Sequence, residues 1–288
     1  MKRMKKNREH KGDKKPVLTP FLKFVIAAAG VFAVFAVISF PVHTVNYTVY
    51  SDKVTKPFRV VHLSDLHAER YGKDMRNLID LIDAQEPDLI ALTGDIYDDK
   101  LDNSKTTTVL LGDLAKRYAC VYVAGNHEFY NREQWIEQKA EAESLGVTVL
   151  EGEDISIGEI TVCGSARRAE DTYDDWEEAT KRCAAGADKD KFALLLVHFP
   201  HKIDEYRSYG CFDLILCGHT HGGHWRLPWS QNGVYGPDQG FFPKLSGGRF
   251  DYDDTTMIIS RGLTRTKVKL PRILNNPEVV VVDILPEE

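Results

Sequence analysis

The chain has 288 residues, of which 43% are apolar, enough for a sizeable core in one large domain or two small ones. Its charge is uneven: residues 1–23 carry nine Lys or Arg against Glu9 and Asp13, a net +7, whereas the remainder carries 28 basic and 41 acidic residues, a net −13. The acidic body excludes a nucleic-acid polymer as the expected partner, because such binding rests on basic contacts to phosphates.

An apolar segment, residues 24–42, follows the basic run directly. At 19 residues it approaches the length of about 20 that spans a bilayer as a helix, and it exceeds the ~7–15 apolar residues of a cleavable signal peptide. We therefore predict a cytoplasmic tail over 1–23 and a transmembrane signal anchor over 24–42, with a cleaved signal as the alternative. Because basic residues stay inside, the expected location is the cell membrane, single-pass, with an extracytoplasmic body.

The body, residues 58–288, is predicted as one α/β domain after a polar linker over 43–57. Short apolar runs alternate with stretches of helical period, which is typical of βαβ units. Near the end, two strands follow each other without a long helix between them, which favours a sandwich of two mixed sheets flanked by helices. The predicted strands are 58–64, 88–93, 120–124, 148–150, 192–197, 213–217, 256–260 and 278–284, and the predicted helices are 74–85, 106–118, 133–145 and 175–185.

The cysteines point to no metal or catalytic site, because their spacing is irregular. Their number, five, is odd, and two lie in predicted buried strands, where a free Cys behaves as a small apolar residue. A disulfide between some pair stays open, and the sequence does not choose one.

Five of the predicted strands end in Asp, His or Asn. Ligands of α/β sheets bind beyond the carboxyl ends of the strands, so parallel strands would bring these groups together. Imidazole, carboxylate and one amide oxygen suit hard-to-borderline divalent metals. A peptidase or amidase is disfavoured, because the chain has no H-E-x-x-H helix. The five strand ends are Asp65-Leu66-His67, Gly94-Asp95-Ile96-Tyr97-Asp98, Gly125-Asn126-His127-Glu128, His198 and Gly218-His219-Thr220-His221.

This ordered set, D-x-H, G-D-x-x-D, G-N-H-E, H and G-H-x-H, resembles the signature of the calcineurin-like metallophosphoesterases. With the single N-terminal anchor it is similar to the bacterial membrane-anchored phosphodiesterases, and the resemblance covers about residues 58–285. It implies a four-layer α/β/β/α sandwich and two divalent metal ions, with Mn, Fe and Zn all open. One metal would be held by Asp65, His67, Asp95 and His221, and the other by Asp95, Asn126, His198 and His219.

The resemblance also implies a mechanism, in which a hydroxide bridging the two metals attacks the phosphorus atom. His127 matches the family histidine that binds the phosphoryl oxygen or protonates the leaving group. Asp98 is expected to act behind it, either orienting His127 or holding a turn. The role of Glu128 stays open, with a cap for the following helix as one interpretation.

The substrate is predicted only as a class, a phosphodiester at the outer face of the membrane, from a lipid, a nucleotide or the cell envelope. A phosphomonoesterase is the alternative, and a metal-binding module without catalysis is disfavoured because every ligand and His127 are present. A protein phosphatase is disfavoured as well, because Asp98 is followed by Asp99 and Lys100 rather than by Arg-Gly. Arg167 and Arg168 are candidates to grip a phosphate bidentately, with a solvated surface run as the other interpretation. Oligomeric state stays open.

Overall fold

The computed structural model describes residues 19–38, 41–98, 104–170, 175–188, 190–227, 229–230, 232–265 and 272–287. Within these residues, two six-stranded mixed sheets carry the core, and a two-stranded ribbon lies beside them. The predicted α/β fold with two mixed sheets is confirmed. The strands are β1 His43–Ser51, β2 Phe58–Leu63, β3 Leu89–Thr93, β4 Ala119–Val123, β5 Thr148–Val149, β6 Glu153–Ile157, β7 Ile160–Ser165, β8 Phe192–Val197, β9 Leu214–Cys217, β10 Tyr235–Gly236, β11 Gly240–Phe241, β12 Gly248–Asp251, β13 Thr256–Ile259 and β14 Glu278–Pro286.

The helices cover four of the predicted helical segments and three others. Short 3₁₀ turns stand at Lys73–Met75, Pro200–Lys202 and His221–Gly223. The predicted helix at 74–85 begins only at Arg76, because Asp74 and Met75 have left-handed backbone conformations. The helices are α1 Pro20–Ile38, α2 Arg76–Asp83, α3 Ser104–Leu114, α4 Asn126–Tyr130, α5 Arg132–Ser144, α6 Trp176–Gly186 and α7 Ile203–Ser208.

The first sheet has the strand order β1-β14-β2-β3-β4-β5. Its neighbours pair in parallel except β14 with β2. The second sheet has the order β12-β13-β9-β8-β7-β6, with parallel pairing from β13 to β7. The carboxyl ends of β2, β3 and β4 therefore share one edge of the first sheet, and those of β8 and β9 share one edge of the second.

The central strands of the second sheet, β7, β8 and β9, are buried. Alternate residues of β8 belong to different apolar clusters: Leu194 and Leu196 pack with the first sheet, whereas Leu195 and Val197 pack with Ile203 and its neighbours in α7. Strands covered on both faces become continuous apolar runs, which is why β8 and β9 were predictable from the sequence.

The prediction of a linker over residues 43–57 is wrong for its first nine residues, because His43–Ser51 forms β1. This strand pairs in parallel with β14 over its whole length, from His43 opposite Glu278 to Ser51 opposite Pro286. Its sequence alternates polar with β-branched or aromatic residues, and it is buried mainly at its end, at Val49 and Ser51. A half-buried edge strand of this kind gives a weak apolar signal, so only the partner strand reveals it.

Helix α1 overlaps the apolar segment predicted to be a signal anchor, with bounds four residues earlier than 24–42. In the ranges that the structure describes, no helix meets the combined length and apolarity of a membrane span. The anchor stays a prediction. On the body side, the Phe32 ring of α1 lies edge-on to Trp225, with ring centroids 6.0 Å apart.

All five cysteines lie in the described part of the chain, and all are buried free thiols. The disulfide that the sequence left open is therefore not formed. Burial raises the pKa of Cys120 and Cys163 to about 12 and also raises the pKa of Cys183, so these thiols act as apolar core residues.

Candidate metal centre

The structure brings the predicted ligand residues to one place, at the facing carboxyl ends of β2, β3, β4, β8 and β9. Three groups of side chains there place their ligand atoms within 4.8 Å of one another: Asp65 with His67 and His221, His67 with Asp95 and His127, and Asp95 with His198 and His219. Asn126 lies beside the third group, with its Oδ1 atom 3.2 Å from His198 Nε2.

The loops that carry these residues are not extended. Asp65 and His67 have left-handed backbone conformations, with φ of 51° and 48°. So do Asp95, His219 and His221, with φ of 52°, 70° and 48°. Residues other than glycine in this region cost roughly 1–3 kcal/mol each, and such strain clusters at functional sites. The strain is a consequence of tertiary contacts that the sequence does not display.

Backbone hydrogen bonds between the first two loops hold this geometry. The N–H groups of Asp65 and His67 donate to the carbonyls of Gly94 and Asp95, at 3.0 and 2.8 Å. The third loop approaches so closely that a Cβ atom at Gly125 would overlap Asp95 Oδ1. A side chain other than hydrogen is excluded there by space rather than by backbone conformation, because Gly125 has φ −99°.

The first group is built around Asp65. His221 Nε2 lies 3.8 Å from Asp65 Oδ1, and the N–H of His219 donates to both carboxylate oxygens of Asp65 at 3.1 and 3.0 Å. His67 stands next to His221, with ring centroids 5.2 Å apart. Asp65 is fully buried, so its carboxylate is oriented by protein contacts rather than by solvent.

Asp98 contacts a different histidine from the one the sequence suggested. Its Oδ2 atom lies 3.3 Å from Nδ1 of His67. A carboxylate in this position fixes the ring orientation of a histidine that ligates a metal through its other nitrogen. Asp98 is therefore placed to orient a predicted ligand, His67, whereas a role for it behind His127 stays a prediction.

The second group is built around Asp95 and His198. His198 Nε2 lies 3.3 Å from Asp95 Oδ2 and 3.2 Å from His219 Nδ1, and the other ring nitrogen of His198 is 2.7 Å from the Thr93 carbonyl. Asp95 also lies 3.7 Å from His67 Nε2. It therefore stands between the two groups, where a shared ligand would have to be.

Burial and mutual contact strongly perturb the ionisation of these side chains. Burial opposes the charged form of His198, but the adjacent Asp95 carboxylate raises the pKa of His198 to about 9. Burial likewise opposes ionisation of Asp95, yet His198 holds the pKa of Asp95 well below its usual value. Burial, and then the charge of His198, lowers the pKa of His219 to about 4. Burial and then His67 lower the pKa of His221 well below its usual value.

These residues fit divalent metal ions. His219 and His221 are neutral at physiological pH, as ligation requires, and the carboxylates are held in a closely packed cluster. The buried Nδ1 atom of His221 has no hydrogen-bond partner among the described residues. Oxygen and imidazole donors without thiolate suit Mn, Fe or Zn, as the sequence predicted.

Comparison with known proteins agrees with this geometry. Residues 58–223 match the family described as calcineurin-like phosphoesterase, a range that contains all seven predicted ligands. The chain belongs to this family. The predicted enzyme class, a metal-dependent phosphoric ester hydrolase, is that of the family.

Three relatives illustrate the similarity. The chain is 30% identical to an uncharacterized metallophosphoesterase of Helicobacter pylori, over 61% of this chain and 47% of that protein. It is 33% identical to phosphodiesterase YaeI of Escherichia coli, over 60% of this chain and 63% of that protein. It is 29% identical to a Bos taurus transmembrane protein with metallophosphoesterase domain, over 57% of this chain and 40% of that protein. This chain thus spans about half the length of the Helicobacter pylori relative.

His127 lies at the mouth of the centre. Its backbone N–H donates to Asp95 Oδ1 at 2.8 Å, and its half-buried ring lies 4.4 Å from the His67 ring. A cavity of about 360 Å³ opens here, lined among others by Asp95, Asn126, His127, Tyr130, His219 and His221. His127 is thus the predicted residue best placed to meet a substrate.

Glu128 does more than the cap that the sequence suggested. Its buried carboxylate accepts five hydrogen bonds: Oε2 from the N–H of Asp95 and of Gly125, and Oε1 from the N–H of Ile96 and of Tyr97 and from the Tyr122 hydroxyl. Glu128 therefore connects the loop that carries Asp95 to the loop that carries Asn126. In the sequence, the position of Glu128 three residues after Gly125, at the start of a helix, indicates only a helix cap.

Asp238 is a site residue that the sequence analysis missed. Its Oδ2 atom lies 2.8 Å from His219 Nε2, and it lines the cavity. It stands in the three-residue turn between the two-residue strands β10 and β11, with no long apolar strand before it, so no pattern along the chain indicated it.

The structure gives Arg167 and Arg168 a place beside the site rather than in it. The Arg167 guanidinium stacks over Phe129 at 5.2 Å and over Trp176 at 5.5 Å from the ring centroids, and Arg168 is exposed. Neither arginine is among the described residues that line the cavity. The stacking accounts for Arg167, and binding of substrate by this pair stays a prediction.

Proposed function

We propose that this chain is a binuclear metal-dependent phosphodiesterase. The observation that carries the proposal is that Asp95 belongs to two groups of potential ligands at once. Asp65, His67 and His221 would hold one ion and Asn126, His198 and His219 the other, with Asp95 shared. Two such ions together lower the pKa of a water molecule for in-line attack on phosphorus and neutralise charge on the phosphate oxygens.

The side chains of the protein would orient the metal ligands and protonate the leaving group. Asp98 holds the His67 ring, and Glu128 fixes the backbone of the loop that carries Asp95. His127, which lines the cavity, would donate a proton to the oxygen that leaves when the P–O bond breaks. The name of the Escherichia coli relative, a phosphodiesterase, favours a diester over a monoester.

The test of this function is an assay of the full chain in detergent micelles. Chelated protein would receive Mn²⁺, Fe²⁺ or Zn²⁺ in increasing amounts, and hydrolysis of bis-p-nitrophenyl phosphate and p-nitrophenyl phosphate would be followed at each step. We expect turnover that rises until two metal equivalents are bound, with the diester preferred. Full activity at one equivalent contradicts the binuclear centre, and preference for the monoester replaces the diester proposal by the alternative.

We further propose that the enzyme acts at the outer face of the membrane, anchored by residues 24–42. The basic tail and the apolar segment support this, as does the name of the Bos taurus relative. The segments before and after the turn of Asp238 also present exposed aromatic side chains, with Trp229, Phe241 and Phe242 at 81%, 75% and 73% exposure. Large exposed apolar side chains beside a site are typical of a surface that contacts a membrane or another apolar partner.

Topology can be measured in intact cells. We expect a tag after Glu288 to be cleaved by protease added to spheroplasts, and a tag before Met1 to be protected until the cells are lysed. The N-terminal tag is the matched control for membrane integrity. Protection of the C-terminal tag in unlysed cells would overturn the outward orientation.

A further inference from the structure

A second cavity, of about 480 Å³, lies apart from the metal centre, beside β1 and β12. Three arginines line it, Arg226, Arg249 and Arg261, together with the Tyr47 side chain and the Gly247-Gly248 backbone. Its volume falls within the range of ~300–1,000 Å³ that is typical of ligand sites. The residues of this cavity, named here the arginine pocket, take no part in the proposed hydrolysis.

Positive charge exceeds negative charge in the arginine pocket. Arg261 pairs with the buried Glu278, and Arg249 pairs with Asp251 at 2.7 Å. Three guanidinium groups thus face two carboxylates, in a protein whose formal net charge is −6. All three arginines act on the Tyr47 hydroxyl: burial and Glu278 raise the pKa of Tyr47, and each arginine lowers it. The cations therefore surround one small volume.

Arg226 lies half-buried among these charges. Burial and then the nearby Arg261 lower the pKa of its guanidinium, whereas the Glu278 carboxylate raises it. Its Nη1 atom lies 3.5 Å from the carbonyl oxygen of Gly222. Arg226 and Arg261 therefore share the charge of one buried carboxylate.

The backbone keeps the space between the arginines open. A Cβ atom at Gly247 would lie 2.8 Å from Arg261 Cγ and 3.2 Å from Arg226 Nη1, so a side chain would fill the pocket. Gly248 has φ +101°, a conformation that L side chains rarely adopt. Both features leave space beside the Gly247-Gly248 turn for a ligand, where side chains would otherwise pack.

We propose that the arginine pocket binds a phosphate group, held by the guanidinium groups of Arg226 and Arg249, the latter already oriented by Asp251 and the Thr48 carbonyl. Arginine matches phosphate oxygens bidentately, and the pocket has room for a larger molecule that carries the phosphate. The group would belong to a lipid headgroup or to a soluble phosphate compound. The backbone N–H of Arg226 donates to Ile273, whose side chain lines the groove under α1, so the pocket lies next to the apolar helix.

The pocket also contacts the loop that carries two predicted metal ligands. Besides the contact of Arg226 with Gly222, the Thr220 hydroxyl donates to the Ser246 carbonyl at 3.0 Å, just before Gly247. A bound phosphate would therefore stabilise the turn on which His219 and His221 stand. Binding itself does not depend on hydrolysis, so it can be tested without metal.

The test titrates inorganic phosphate into the full chain in phosphatidylcholine nanodiscs. A chelator first removes metal ions, so that phosphate cannot bind to an ion in the metal centre. Calorimetric titration is expected to show one phosphate site. Arg226→Gln and Arg249→Gln are each expected to weaken binding about 10-fold or more. Arg117→Gln is the matched control, an exposed ion-paired arginine, and should bind as the wild type does.

A second arm distinguishes the source of the phosphate. In nanodiscs containing phosphatidic acid, loss of the phosphate titration assigns the pocket to a lipid headgroup, and an unchanged titration assigns it to a soluble compound. Thermal unfolding of each variant shows whether it is folded. The proposal is overturned if the wild-type chain binds no phosphate in phosphatidylcholine, or if folded Arg226→Gln and Arg249→Gln proteins bind it unchanged.

Discussion

Replacing Asp95 by Asn is expected to reduce diester hydrolysis far more than any other single change in this protein. The carboxylate lies 3.3 Å from His198 and 3.7 Å from His67, so it serves both ligand groups. An amide removes the negative charge that two cations would share. The loss should exceed the ~10–100-fold typical of partners that only orient a ligand. Bound metal, measured by mass spectrometry of the purified protein, should fall from two equivalents to one or none.

Two further variants make this result specific. Asp98→Asn changes a carboxylate that orients a predicted ligand, His67, and is not itself a predicted ligand, so we expect a smaller loss, within ~10–100-fold, with metal stoichiometry largely kept. Asp204→Asn, an exposed aspartate on α7, should leave both turnover and metal content unchanged. Two tightly bound metals in the Asp95→Asn protein would contradict a shared ligand at this position.

The second large effect is expected at Glu128, which touches no substrate. In Glu128→Gln an amide NH₂ would face backbone N–H groups that now donate to a carboxylate oxygen. Hydrogen bonds to a buried charge contribute about 1.5–3 kcal/mol each, and donors left without an acceptor cost a similar amount. We expect the free energy of unfolding to fall by about 3 kcal/mol, in denaturant titrations of the chelated protein.

Turnover by the Glu128→Gln protein should fall together with its stability, because the loops of Asp95 and Asn126 lose the carboxylate that connects them. Raising the metal concentration should restore part of the activity, since the ligands themselves are intact. The matched control is Glu137→Gln, an exposed position on α5, for which we expect no change in stability or turnover. A Glu128→Gln protein as stable as the wild type would show that the five hydrogen bonds do not hold the loops.

Two central strands with both faces covered were predictable from the sequence, whereas β7, which is also fully buried, was not among the predicted strands. The β8 residues Phe192–Val197 and the β9 residues Leu214–Cys217 form unbroken apolar runs, and the structure confirms them to within a residue. Strands with one open face were missed: β1 alternates polar and apolar residues, and β12 is only partly buried. In such strands the pattern is weak and pairing partners far along the chain decide the conformation.

The kind of chemistry followed from the sequence by itself. Asp, His and Asn stand at the ends of five apolar runs, and the parallel arrangement of strands that such runs favour makes these ends meet. The family resemblance, on the same residues, is confirmed by the match over 58–223. Residue type and position along a strand are local properties, so the chain displays them directly.

What only the tertiary structure decided is how these side chains are held. The left-handed conformations of Asp65 and Asp95, the five hydrogen bonds of Glu128 and the contact of Asp238 with His219 all depend on loops from different strands. The arginine pocket likewise joins Tyr47 to residues about 180 or more positions later. Local sequence specifies the strands and their chemical groups, but contacts between distant segments set backbone strain, charge balance and the precise neighbours of each group.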